Sequence, residues 1–152
     1  FSLIEMIVMV GVLATLAMFT TVSLLGAQRR PALTATIDTL LSDMRREQAK
    51  AMNGEGVTNP ASHGIYFSQN TYTLFRGDVY AASDPGNSVI ALPTGIQFSS
   101  IDFSGSQLLF LKGSGDVSGF NPGSNAVVLQ NTQSGEQKTI AVNRLGTVVS
   151  VQ

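Results

Sequence analysis

Residues Phe1–Ala27 read FSLIEMIVMVGVLATLAMFTTVSLLGA, and the fold follows from how this stretch is read. Glu5 is its only charged side chain, and Arg29 and Arg30 follow it. From Met6 to Ala27 the run is apolar or small, and about 20 such residues span a bilayer core as a helix. No Lys or Arg precedes the run and no small-residue cleavage site follows it, unlike a secretory signal peptide. The expectation is a chain already cut before Phe1.

A carboxylate on an apolar helix is costly, by about 2.5–3.5 kcal/mol for a central acid on insertion scales. Glu5 therefore needs a partner or a place near the interface. The Phe1 amine is the only cation within the first turns, and residues 1 and 5 share a helix face.

Phe1, Ser2-Leu3-Ile4, Glu5 and the apolar run resemble the mature N-terminus of type IV pilins and type II secretion pseudopilins. The resemblance implies cleavage before Phe1 by a prepilin peptidase, with methylation of the new amine. It also implies that Glu5 of one subunit meets the Phe1 amine of a neighbour. Such a pair would set axial register in a filament, because a misplaced subunit buries an unpaired charge. Many members of the family carry a Pro where this chain has Val22, and unwind there. The Pro here is Pro31. Helix flexibility is assigned to Gly11, Gly26 and Pro31, with local melting allowed over residues 14–23. Thr15, Thr20, Thr21 and Ser23 can bond back to the helix. The small residues also suit close helix packing.

Beyond Pro31, which suits the first turn of a helix, Leu33, Ile37, Leu40, Leu41, Met44 and Gln48 recur at three- and four-residue steps. That stripe predicts an amphipathic helix. Asp38, Asp43, Arg45, Arg46, Glu47 and Lys50 fall mostly off it. Asn53-Gly54 is a stop signal. Phe1 to Met52 is then read as one rod of roughly 80 Å. Short apolar runs between Gly-, Asn- and Pro-rich turns predict strands at 63–67, 72–76, 88–92, 96–103, 107–112, 126–130, 138–143 and 147–151. A bulge is expected near Ser99-Ser100.

The expected fold class is α+β, a type IV pilin fold in which a long N-terminal α-helix packs on a C-terminal antiparallel β-sheet domain. Residues 1–28 are the hydrophobic helix, 29–54 its amphipathic continuation and 55–152 a β-rich head. The order YTLFRG, VIALPTGIQF, FSGSQLLFL, AVVLQN, KTIAV, RLGTV resembles the GspH/FimT-type minor pilin and pseudopilin domain.

Net charge is −1 and 12% of residues are charged, which does not suit an electrostatic nucleic-acid binder. Lys112, Lys138 and Arg144 are scattered cations that would neutralise few phosphates. There is no cysteine, hence no disulfide framework and no cysteine zinc site. His63 is the only histidine and reads as a solvated or core-edge residue. Gly113-Ser114-Gly115-Asp116, Asn121 and Asn125 carry oxygen ligands of the kind calcium takes, but too few acids. No G-x-S-x-G elbow and no P-loop is present. No catalytic, metal or cofactor residue is assigned, no cofactor is expected, and the chain reads as a non-enzyme.

The functional expectation is a structural subunit, the major one, that polymerises through its N-terminal helix into a type IV pilus or related extracellular filament. Its partners are copies of itself, other pilins and minor pilins, an inner-membrane assembly platform and the prepilin peptidase. It would span the cytoplasmic membrane once before assembly. The alternatives are a GspH/FimT-like minor pilin or pseudopilin at the filament tip, with or without a DNA-binding role, and a single-pass membrane-anchored binding domain.

Overall fold

The computed structural model describes residues 2–27, 29–54 and 61–152, with the side chains of 17–31 outside the description. Two helices come first, α1 (Leu3–Ala27) and α2 (Arg29–Asn53). Eight strands follow: β1 (His63–Ser68), β2 (Thr71–Arg76), β3 (Ser88–Ala91), β4 (Ile96–Ile101), β5 (Gln107–Phe110), β6 (Ala126–Asn131), β7 (Gln137–Val142) and β8 (Val148–Val151).

This corrects the expected fold class. There is no single long helix laid on one sheet, but two helices and two four-stranded antiparallel sheets, ordered β3-β2-β1-β5 and β4-β6-β7-β8. The physical reason lies in what each helix has to bury. Only α2 has an amphipathic stripe, and it lies against β1, β5 and β6. Leu33, Ile37, Leu40, Met44 and Ala51 are buried along it. Pro31 is the third residue of α2. Gly54, at φ 64°, ends α2 as read.

The β1–β2 hairpin turns at Gln69-Asn70, with Ser68 opposite Thr71 and His63 opposite Arg76. In β4 the register slips between Phe98 and Ser100, the bulge expected there. The Phe98 N–H donates to the Gln69 carbonyl at 2.8 Å, tying the second sheet to the tip of the hairpin. Phe67 meets Phe98 edge-on at 5.3 Å and stacks on Phe103 at 5.6 Å. Inward residues of both sheets, among them Ile65, Leu108, Val127, Leu129 and Ile140, close one core with the α2 stripe. Pairing patterns are local and do not say which strands share a sheet, so the division into two was not expected.

The outer face of the first sheet is also covered. Tyr80, from the 77–87 loop, stacks on Tyr66 with ring centroids 4.1 Å apart and meets Phe75 edge-on. Gly64 makes room for this. A Cβ there would lie 2.6 Å from the Phe75 ring and 2.8 Å from the Leu108 carbonyl oxygen. Gly64→Ala is expected to destabilise the protein by about 1–3 kcal/mol through overpacking. Urea unfolding should show a lower midpoint at an unchanged slope. A wild-type midpoint would remove this role for the glycine.

Candidate functional site

Helix α1 has the composition of a buried helix, and its described side chains, up to Leu16, go without cover. Leu3, Ile4, Met6, Ile7, Val8, Met9, Val10, Val12, Leu13 and Leu16 are each between 53% and 79% exposed. These side chains point all round the helix, not along one stripe. A helix apolar on every face belongs inside a protein assembly or a membrane, and a continuous exposed apolar patch marks an interaction site. Burying such a side chain is worth about 1.5–3 kcal/mol relative to water. Among the described residues no helix is long and apolar enough to cross a membrane. The span read over Met6–Ala27 runs past Leu16, beyond the described side chains.

Its N-terminus is built from Ser2 and Glu5. The Ser2 carbonyl accepts the N–H groups of Glu5 at 2.9 Å and Met6 at 3.3 Å. In return the Ser2 backbone N–H donates to Glu5 Oε2 at 3.4 Å. This back-reaching half of a capping box places a carboxylate at the positive end of the helix dipole. The S-x-x-E spacing of Ser2-Leu3-Ile4-Glu5 carries this cap, a role beside the amine partner or interfacial place expected for the lone acid. Phe1, with the expected processing and the Phe1–Glu5 pair, lies outside the described residues.

Gly11 sits on the exposed helix, and a Cβ there would meet nothing within 4 Å. It does no packing within one chain, which leaves it available to a neighbouring helix. The Thr15 hydroxyl donates to the Val12 carbonyl at 2.8 Å, the back-bonding read for it. Backbone helix is continuous over residues 14–23. Gly26, Pro31, Thr20, Thr21 and Ser23 fall where side chains are not described.

A second cluster lies where α2 meets the first sheet. The Tyr72 hydroxyl donates to Asp43 Oδ2 at 2.6 Å, and Arg46 pairs with Asp43 Oδ1 at 2.9 Å. One turn on, Glu47 takes Lys50 Nζ on Oε1 at 2.9 Å and faces His63 Nδ1 across 3.1 Å on Oε2. Glu47 is 1% exposed, His63 6% and Asp43 7%. Both acids had been read as off the stripe, and His63 as a solvated or core-edge residue. The structure buries all three, because Asp43 and Glu47 lie one turn apart beside the Leu40 and Met44 line. Cations on the same helix and polar groups on β1 and β2 satisfy them. The arrangement latches α2 to the sheet in one rotation and one axial position.

No family model, curated protein or solved structure matches this chain. Among the described residues no group of three or more His, Cys, Asp or Glu side chains could hold a metal ion. Lys112, Lys138 and Arg144 sit on three separate segments: the turn after β5, strand β7 and the β7–β8 turn.

Burial, and then the hydrogen bond to Asp43, hold the Tyr72 hydroxyl well above the ordinary phenol range. The folded chain therefore keeps this proton more tightly than the unfolded chain. Its contribution is fully present below about pH 10 and falls as pH rises beyond that. Tyr72→Phe is expected to flatten this alkaline loss. It should also cost about 1–3 kcal/mol at neutral pH, where Asp43 loses its donor. Urea midpoints at neutral and alkaline pH for both proteins test it. Equal alkaline slopes would contradict the assignment.

Proposed function

We propose that the chain is a structural subunit that polymerises through α1 into a type IV pilus or related extracellular filament. The observation that carries this reading is the continuous exposed apolar surface of Leu3–Leu16. Sister copies of α1 would cover it in the filament, and the cytoplasmic membrane would cover it before assembly. Lipid is as apolar as a leucine side chain, so packing and small residues such as Gly11 would decide the exchange. The latched, two-sheet head then lies outside the bundle. Partners follow from this: other copies as the major subunit, minor pilins, an inner-membrane assembly platform and a prepilin peptidase.

N-terminal sequencing and intact mass of the native protein test the processing. The expected result is an N-methylated Phe1. Counting copies per filament by mass spectrometry separates the roles. Many copies support the major subunit, and a handful indicate a tip subunit. A native protein extending upstream of Phe1 would turn the reading towards a plain membrane anchor.

A further inference from the structure

Three loops and strand β5 enclose a cleft of about 230 Å³ that the filament reading does not use. Its walls carry Asp78, Ser104, Gln107 and Ser118, with Phe103 and Phe120 among the apolar lining. None of the lining residues is a lysine, arginine or histidine. Phe103 is 7% exposed and fixed by its stack on Phe67, so it is a rigid floor, and Phe120 is half-buried at the side.

The wall at Ser104 is held by an uncommon backbone. Gly105 and Ser106 follow one another at φ 63° and 55°, and Ser106 is the only non-glycine with positive φ among the described residues. A side-chain-bearing residue in this region is strained, and such strain gathers at ligand sites. The two residues set the turn that delivers Gln107 to the start of β5.

The lining selects a class of ligand. Without a cation it gives a phosphate or carboxylate no charge-assisted partner, and the Asp78 carboxylate disfavours an anion. Its volume lies below the roughly 300–1,000 Å³ of drug-sized pockets, so it holds a single small ring. The half-buried Phe120 ring can take the C–H side of a sugar ring. The Asp78 carboxylate, which already accepts the Ser62 hydroxyl at 2.6 Å, has further acceptor positions for ligand hydroxyls. The Gln107 amide both donates and accepts. We propose that this cleft binds one ring of a neutral saccharide. The proposal stands apart from filament assembly, because its test reads binding by the full chain alone.

The test is saturation-transfer-difference NMR on the whole protein, kept in solution by a sugar-free zwitterionic detergent. The probes are methyl glycosides of glucose, galactose, mannose and N-acetylglucosamine, with glucuronate and choline as charged comparators. At least one neutral glycoside should receive saturation through its ring protons. Phe120→Ala and Gln107→Ala should each weaken that binding about tenfold, as expected for the loss of one stacking face or one hydrogen-bonding group. Urea midpoints of both variants identify any misfolded one, and the folded variant then carries the test. No transfer to any neutral glycoside at tens of millimolar would overturn the proposal. So would transfer unchanged in a folded variant, or stronger transfer to glucuronate or choline.

Discussion

Glu5→Ala is expected to abolish filaments while the protein stays in the membrane fraction. Two roles meet at this side chain. Within one chain it accepts the Ser2 N–H at the start of α1. Under the proposed assembly it would be the only acid on the α1 surface that sister helices cover. Loss of a helix cap costs about 0.5–2 kcal/mol, a modest penalty beside the apolar surface available on α1. An unpaired buried charge costs about 3–5 kcal/mol, enough to reject a subunit in the wrong register. Glu5→Gln separates the roles, because an amide oxygen still accepts the Ser2 N–H but carries no charge. If pairing sets register, Gln fails as Ala does. If the cap is what assembly needs, Gln restores filaments. Sheared-filament yield by electron microscopy, set against membrane fractionation, reads both. The prediction is that Gln matches Ala, and normal filaments from Glu5→Ala would contradict it.

Glu47→Ala should be the most damaging change in the head, at about 3–5 kcal/mol, since breaking a buried pair leaves the partner charge uncompensated. Lys50 is 31% exposed at its side chain and turns partly to water, whereas His63 stays inside at 6%. The loss should therefore fall towards the lower end of that range. Arg45→Ala, an exposed change on the same helix, should stay within about 0.5 kcal/mol. Urea midpoints of the two variants decide the matter. Equal midpoints would show that the latch between α2 and the first sheet contributes nothing.

Much of the head was legible in the sequence, because its signals are local. The Leu33, Ile37, Leu40, Met44 stripe marks the buried face of α2. Gly and Asn punctuation placed the eight strands, and the broken alternation around Ser99 gave the bulge. What escaped depends on distant parts of the chain. Asp43 and Glu47 fall off the apolar stripe of α2, and nothing local marks them as buried, since their partners Tyr72 and His63 arrive from β strands later in the chain. The division into two sheets depends on β5 returning to β1 while β4 pairs with β6. The Ser2–Glu5 cap is legible in the S-x-x-E spacing, although the same acid in an apolar run also calls for a partner for its charge. The candidate binding cleft had no sequence signal, since its lining comes from three loops and β5.

The absence of cysteine makes the central claim directly measurable. Single cysteines placed in turn along Leu3–Leu16, with Val79→Cys on the head as the comparison, can be coupled to a photoreactive thiol probe in the native membrane and in sheared filaments. If sister copies cover α1, the α1 positions will form covalent multimers of this chain in filaments, and Val79 will do so far less. If every α1 position labels only lipid or stays monomeric in both fractions, α1 does not assemble the chain and the account is wrong.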